Sequence, residues 1–229
     1  MTASRLIVAL DTSDLARARD WASAAGPFCG LFKLGLEFIL ANGAAGVRAI
    51  QGRPIFLDLK LHDIPNTVAG AIRAVLPLAP SMLTVHAGGG SAMIAAARQA
   101  AEDAGPRRPM ILAVTVLTSL DAAQLAATGV RDAPSLQVLR LARLAIAAGA
   151  DGLVCSPEEV ALLRGSLDSR VKLVVPGIRL SRTAEDDQKR VMTPKQAIAA
   201  GADWIVVGRP ITRAANVAEA AAGMAAAVA

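Results

Sequence analysis

The fold of this chain follows from the stretch Phe56-Leu57-Asp58-Leu59-Lys60-Leu61-His62-Asp63-Ile64-Pro65-Asn66-Thr67. It begins as an apolar strand, and because residues two apart in a strand share a face, Asp58 and Lys60 project together. Asp63 comes just past the strand end, and Pro65 suits the first turn of a following helix. Charged side chains on an apolar strand are costly unless they are paired. The pattern therefore fits either a structural Asp58–Lys60 ion pair or a reactive site.

The same alternation of a short apolar strand and a helix continues in both directions from this stretch. Helices separate the strands, and Ser13 is the expected N-cap of the first helix. Continuous apolar strands of this kind are typical of parallel sheets that are buried on both faces. Eight repeats without a linker predict an α/β fold, a single (β/α)₈ TIM barrel that forms one domain over residues 1–229. The expected strands span residues 6–10, 31–34, 54–60, 82–86, 110–117, 153–155, 171–175 and 204–207.

Composition narrows the class of protein. The 229 residues are 54% hydrophobic and 19% charged, which excludes a disordered chain. The net charge is +5, but the arginines are scattered, tyrosine is absent and aromatic residues make up 3%, so we expect no nucleic-acid partner. An anionic small-molecule substrate explains the basic balance equally well. No apolar run reaches the roughly 20 residues of a membrane span, so we expect no membrane partner.

Cysteine usage and the first residues indicate a reducing compartment. Cys29 and Cys155 are far apart and show no metal-binding spacing, as expected for buried thiols in the cytoplasm. Residues 1–5 show no charged leader followed by an apolar core, so we expect no secretory signal.

Polar residues follow the predicted strands. Barrel enzymes place their chemistry at the carboxyl ends of the strands, and the loops after strands seven and eight usually bind phosphate. Gly208 lets the backbone approach an anion, and Arg209 adds a charge suited to phosphate. A turn followed by a helix start is the alternative interpretation of these two residues. The residues at the strand ends are Asp11, Lys33, Asp58, Lys60, His86, Thr118, Arg179, Gly208 and Arg209.

Two further features do not indicate a metal site. His62 and His86 are the only histidines, and no carboxylate cluster accompanies them, so we expect no metal and assign His86 a structural role. The polar stretch 180–191 is too charged to be core and predicts a mobile loop.

Taken together, these residues resemble the orotidine 5′-phosphate decarboxylase family. The stretch Asp58-Leu-Lys-Leu-His-Asp-Ile-Pro-Asn-Thr67 is similar to the family's D-x-K-x-x-D-I-P-N-T signature. The resemblance covers essentially the whole chain. It also includes Phe32–Gly35, Thr84–His86, Thr115–Ser119, Pro176–Arg179, Asp187–Arg190 and Val207–Ile211.

The resemblance implies decarboxylation of orotidine 5′-monophosphate to uridine 5′-monophosphate (UMP) and carbon dioxide, without a metal or an organic cofactor. It implies that Lys33, Asp58, Lys60 and Asp63 form an alternating charge array, and that Lys60 delivers the proton. Asp63 is expected to come from the partner subunit of a homodimer. The substrate-binding residues that it implies are Asp11 and Lys33 at the ribose, Asp58 at the carboxylate, Thr67, Thr118 at the pyrimidine, and Arg179, Gln188, Gly208 and Arg209 at the phosphate. The 180–191 loop is expected to close as a lid.

Two rivals remain open from the sequence. One is a phosphate-binding barrel of another activity, such as a Mg²⁺-dependent keto-sugar phosphate decarboxylase, which needs an additional carboxylate near the site. Glu37 is the nearest candidate, although it comes slightly late after strand two. The other rival is a non-catalytic barrel that binds nucleic acid, which predicts a steep salt dependence of binding.

Overall fold

Eight parallel strands close into a barrel in the order of the sequence, each hydrogen bonded to its two neighbours. The computed structural model describes residues 4–179 and 192–228. The single (β/α)₈ barrel predicted from the sequence is confirmed. Its strands are β1 (Leu6–Ala9), β2 (Leu31–Gly35), β3 (Ile55–Leu61), β4 (Met82–His86), β5 (Met110–Val114), β6 (Gly152–Val154), β7 (Lys172–Val175) and β8 (Trp204–Val207).

Helices follow the strands and cover the outside of the barrel. Within the described ranges they are α1 (Leu15–Ala25), α2 (Leu36–Ala49), α3 (Pro65–Val75), α4 (Gly90–Ala101), α5 (Ala122–Ala127), α6 (Pro134–Ala147), α7 (Val160–Ser166), α8 (Pro194–Ala199), α9 (Arg209–Thr212) and α10 (Val217–Ala226). The expectation that Ser13 caps the first helix was wrong. Asp14 is the cap, because its carboxylate accepts the Arg17 backbone N–H at 3.1 Å. None of these helices has the length and apolar character needed to cross a bilayer.

Alternation along the strands divides the side chains into two apolar layers. One layer packs between strands and helices and contains most of the buried residues. The other fills the barrel interior, where Leu31, Phe56 and Met82 meet the inward side chains of the remaining strands. Two residues further along β2, β3 and β4, the same inward face carries Lys33, Asp58 and Thr84. The barrel is therefore apolar inside and becomes charged at the carboxyl ends of these strands.

At the amino-terminal end of the barrel, an Ala-Gly-Ala-Asp sequence precedes both β6 and β8. The glycines, Gly149 and Gly201, have φ of 96° and 110°, a left-handed conformation that ends the preceding helices. Asp151 then accepts the Ile111 backbone N–H at 2.8 Å and binds the Arg108 guanidinium at 2.8 and 2.9 Å. Asp203 likewise accepts the Leu173 N–H at 2.9 Å. Each aspartate ties two neighbouring strands together at this end.

We expect Asp151→Ala to lower the free energy of unfolding by about 2–3 kcal/mol, because the strand N–H and the guanidinium both lose a charged acceptor. Asp103→Ala is the matched control, since its ion pair with Arg73 is half exposed on both sides and such pairs contribute about 0–1 kcal/mol. Urea denaturation of both variants measures the difference. Equal losses in the two variants would contradict the role given to Asp151.

Candidate active site

A cavity of about 790 Å³ opens at the carboxyl ends of the strands. This volume is within the usual range for small-molecule sites. The structure brings eight of the sequence-predicted site residues together in its lining, and they come from six of the eight strand–helix units. These residues are Asp11, Lys33, Asp58, Lys60, Thr118, Arg179, Gly208 and Arg209.

A chain of alternating charges runs along one wall of the cavity. The Lys33 ammonium lies 3.0 Å from one Asp11 carboxylate oxygen and 3.4 Å from Asp58 Oδ2. The other Asp58 oxygen, Oδ1, lies 2.8 Å from the Lys60 ammonium. Asp58 therefore sits between two cations, and Lys33 sits between two carboxylates.

Burial makes this pairing necessary. The Lys33 and Asp58 side chains are almost completely buried, whereas Lys60 and Asp11 are more exposed to the cavity. Burial lowers the pKa of Lys33, but the charges of Asp58 and Asp11 outweigh it and leave that pKa raised. Burial raises the pKa of Asp58, but Lys33, Lys60 and their hydrogen bonds leave it lowered overall. Both groups therefore stay ionised near neutral pH.

Gly35 makes room for the Asp11–Lys33 pair. A Cβ at this position would lie 2.8 Å from an Asp11 carboxylate oxygen and 3.1 Å from the Lys33 ammonium. Any larger residue at the end of β2 would displace one of the two charged groups.

The backbone of β3 departs from regular strand geometry at Lys60. Between the pairs Leu57–Leu83 and Leu61–Val85, the register of β3 against β4 shifts. Lys60 lies in this irregular segment with φ of 48°, a left-handed conformation that is rare for residues other than glycine. Asp58 and Lys60 still meet on one side, as the sequence predicts, but across a bulge.

Asp63 and Thr67 lie elsewhere. Both are exposed, and among the described residues neither lines the cavity. The Asp63 carboxylate accepts the Ile64 backbone N–H at 2.6 Å. Beside it, Ile64 is 67% exposed. Within a single chain the expected fourth member of the charge array is therefore not brought to the other three.

The residues expected to bind phosphate follow β7 and β8, and β8 pairs with β1 in the closed barrel. Gly208 and Arg209 form the junction of β8 and α9, and Arg179 follows β7. The Arg179 backbone N–H donates to Met192 O at 3.1 Å, which ties together the last described residue before position 180 and the first described residue after position 191. Gln188 and the polar loop 180–191 fall outside the described residues.

The two histidines stack beside Lys60. The rings of His62 and His86 are 5.1 Å apart and nearly parallel, and His86 Nδ1 accepts the Gly88 N–H at 3.1 Å. Burial, followed by the charges of His62 and Lys60, lowers the pKa of His86. This geometry agrees with a structural role for His86. Over residues 4–179 and 192–228, no three His, Cys, Asp or Glu side chains are close enough to share a metal ion.

Sequence reasoning missed several residues of the site. Thr84 donates its hydroxyl hydrogen to Asp58. The sequence could have indicated this role, because Thr84 shares the inward face of β4 with Met82 and His86. Arg17 and Trp21 are four residues apart on α1 and therefore share a helix face, but nothing in the sequence directs that face to the cavity. The other missed polar residues of the lining include Thr12, Thr212 and Arg213, and Glu37, named in the sequence analysis only for the Mg²⁺-dependent rival, also lines the cavity.

The comparisons with known proteins agree with one another. A family model described as the orotidine 5′-phosphate decarboxylase / HUMPS family matches residues 4–224. A Gluconobacter oxydans protein named orotidine 5′-phosphate decarboxylase is 56% identical over 217 residues, or 93% of this chain and 92% of that protein. A Thermobifida fusca protein of the same name is 51% identical over 227 residues, or 98% and 95% of the two chains.

The fold comparison leads to the same group of proteins. The crystal structure of orotidine 5′-phosphate decarboxylase from Lactobacillus acidophilus superposes with a TM-score of 0.86 at 36% identity, and covers 98% of this chain and 99% of that one. Sequence and structure both match over nearly the full length. This chain belongs to the orotidine 5′-phosphate decarboxylase / HUMPS family.

Proposed function

We infer that this chain is a carboxy-lyase that converts orotidine 5′-monophosphate to UMP and carbon dioxide, the last step of de novo pyrimidine nucleotide synthesis. The observation that carries the inference is the alternating array Asp11–Lys33–Asp58–Lys60 in the cavity wall. The family model covers two groups of proteins, the orotidine 5′-phosphate decarboxylases and HUMPS. Relatives that are 56% and 51% identical to this chain carry the name orotidine 5′-phosphate decarboxylase, which supports this activity over that of the second group.

The chemistry assigned to the array follows from its charges. In the proposed mechanism, the substrate carboxylate is placed against Asp58, where like charges disfavour the ground state. The bond between C6 and the carboxylate carbon breaks, and its electron pair stays on C6 as carbon dioxide leaves. The Lys60 ammonium stabilises this developing negative charge and then donates its proton to C6. Asp58, Lys33 and Asp63 are thus grouped with Lys60 as catalytic residues.

Binding roles are assigned along the cavity. Asp11 and Lys33 are proposed to hold the ribose hydroxyls, since both lie beside each other at the ends of β1 and β2. Thr118, which lines the cavity after β5, is proposed to contact the pyrimidine. The proposed phosphate ligands are Arg179, Gln188, Gly208 and Arg209. Binding of the remote phosphate then organises the reacting end of the substrate.

Asp63 and Thr67 are proposed to serve the neighbouring subunit of a homodimer. Their exposure supports this role, because one chain alone leaves the Asp63 carboxylate outside its own cavity. The exposed Ile64 between them supplies an apolar group for an interface. A two-fold axis near this segment would bring each Asp63 to the partner's array.

We place the enzyme in the cytoplasm and propose that it needs no organic cofactor. Both described cysteines are free, and burial raises the pKa of the Cys29 thiol to about 11. Such protonated, buried thiols are compatible with a reducing compartment.

The direct test follows the absorbance of orotidine 5′-monophosphate with purified protein, in the presence and absence of EDTA. We expect the absorbance to fall at the same rate in both cases, because the proposed loss of carbon dioxide uses the charges of Asp58 and Lys60 and no metal ion. The rival Mg²⁺-dependent activity on a keto-sugar phosphate predicts a loss of turnover with EDTA and its return with Mg²⁺. No absorbance change under either condition would overturn the proposed reaction.

Arg209→Ala tests the phosphate end. A charge-assisted contact is worth roughly 1.5–3 kcal/mol, so we expect kcat/KM for orotidine 5′-monophosphate to fall by about one to two decades. Turnover of orotidine, which has no phosphate, should change little. Arg19→Ala is the matched control, since it removes an exposed arginine that does not line the cavity. Equal losses with both substrates would assign Arg209 a structural role instead.

Subunit mixing tests the shared site. Lys60→Ala and Asp63→Ala should each be inactive alone, but a mixed dimer contains one site with intact Lys60 and intact Asp63. Random reassortment makes roughly half of the dimers mixed, so about a quarter of all sites regain wild-type composition. Activity is measured after the mixture is unfolded and refolded, and mass spectrometry of tagged chains confirms exchange.

The matched control for this experiment mixes Lys60→Ala with Asp58→Ala. The side chains of these two residues contact each other within one chain at 2.8 Å, so each site takes both residues from the same subunit. In a mixed dimer, one site therefore lacks Lys60 and the other lacks Asp58. That mixture should stay inactive. If the Lys60→Ala and Asp63→Ala mixture also stays inactive despite confirmed exchange, the shared-site proposal fails.

A further inference from the structure

The hydroxyl of Thr84 contacts both Asp58 and Lys60 from the inner face of the neighbouring strand β4. Its side chain is completely buried on β4. The hydroxyl oxygen lies 2.9 Å from the Lys60 backbone nitrogen and 2.9 Å from Asp58 Oδ1. The Lys60 N–H can only donate, so the hydroxyl accepts from it and directs its own hydrogen to the ionised Asp58 carboxylate. One hydroxyl therefore contacts both residues in a fixed direction.

The bulge in β3 explains why a side chain is needed there. From Leu57 to Leu61 the strand advances four residues, while β4 advances two, from Leu83 to Val85. Lys60 falls in this excess and has no partner in the register with β2 or β4. Thr84 is the residue of β4 opposite the bulge, and its hydroxyl takes the place of the missing strand acceptor.

The conformation of Lys60 depends on such support. A non-glycine residue in the left-handed region is strained and persists only where its surroundings hold it. The Lys60 side chain starts from this strained backbone and reaches Asp58 at 2.8 Å. Release of its N–H would let the backbone relax and move the ammonium away from the carboxylate.

We propose that Thr84 is a positioning residue, whose hydroxyl directs the Lys60 ammonium and the Asp58 carboxylate toward the substrate at the same time. This role rests on the proposed decarboxylation. Thr84 does not itself line the cavity among the described residues, so it acts through the two groups that do. Misplacement of a reacting group by about 1 Å can cost on the order of 100-fold in rate.

The test replaces Thr84 by valine, which has nearly the same shape without the hydroxyl. We expect kcat of Thr84→Val to fall roughly 10- to 100-fold, as for loss of a hydrogen bond to a charged group. The dissociation constant for UMP, which lacks the carboxylate, should stay within about threefold. Thr84→Ser keeps the hydroxyl and should retain kcat within about threefold.

Thr115→Val is the matched control. Thr115 is a buried threonine on the same barrel, just after β5, and its hydroxyl donates to the backbone carbonyl of Val154 at 3.4 Å rather than to a charged group of the array. It should retain kcat within about threefold. Thr84→Val with wild-type kcat, or Thr84→Ser and Thr84→Val with equal losses, would overturn the proposal. So would a loss in UMP binding as large as the loss in kcat.

The proposal can still be tested if Thr84→Val does not fold or if the wild-type protein lacks the proposed activity. If Thr84→Val does not fold, as judged by circular dichroism, Thr84→Ser and Thr84→Ala give the same comparison, because they differ only in the hydroxyl. If the wild-type protein does not decarboxylate orotidine 5′-monophosphate, the proposed function fails separately. Crystal structures of the Val or Ala variant and of Thr84→Ser then provide the readout. Lys60 should leave positive φ and withdraw from Asp58 only where the hydroxyl is absent, and an unchanged Lys60 would overturn the role of Thr84.

Discussion

The Asp58 carboxylate, held between two ammonium groups, is the interaction on which the rest of the site depends. A buried carboxylate without partners would take up a proton, and Lys33 and Lys60 together prevent this. Lys33 is itself almost fully buried and needs Asp11 for the same reason. The buried charge on β3 therefore needs an opposite charge on β2, and that charge needs another after β1. Adjacent strands of a closed barrel meet this requirement, because Lys33 on β2 lies between Asp58 on β3 and Asp11, which follows β1.

The two ends of the barrel use aspartate differently. At the carboxyl ends, Asp58 is surrounded by side chains and faces a cavity. At the amino ends, Asp151 and Asp203 accept backbone N–H groups from the neighbouring strands and bind arginines. The apolar interior cluster separates the two levels. The ion pairs at the cavity and the ion pairs that link neighbouring strands at the other end are thus similar in kind, but they have no residue in common.

The regular alternation of apolar strands and helices made the barrel predictable from the sequence. The polar residues at the ends of these strands made most of the candidate site predictable. Continuous apolar strands alternating with helices identify a parallel barrel, whose geometry then brings residues as distant as Asp11 and Arg209 to one mouth. The left-handed Lys60 was not predictable, because local sequence favours no such backbone for a lysine. Thr84 was overlooked because a threonine inside a strand is ordinarily a packing residue. The exposure of Asp63 is a property of one chain, and the prediction that Asp63 serves a partner subunit came from the family resemblance together with its place three residues past Lys60.

Tryptophan placement has a consequence for spectroscopy. The chain has two tryptophans and no tyrosine. Trp21 lines the cavity, whereas Trp204 opens β8 at the other end and lies 5.9 Å beneath the Lys172 ammonium. Near-ultraviolet emission therefore originates at two sites, one at the cavity and one at the amino-terminal end of β8. With Trp204 replaced by phenylalanine, the remaining fluorescence would come from a single indole at the cavity, an optical signal of ligand entry that needs no added dye.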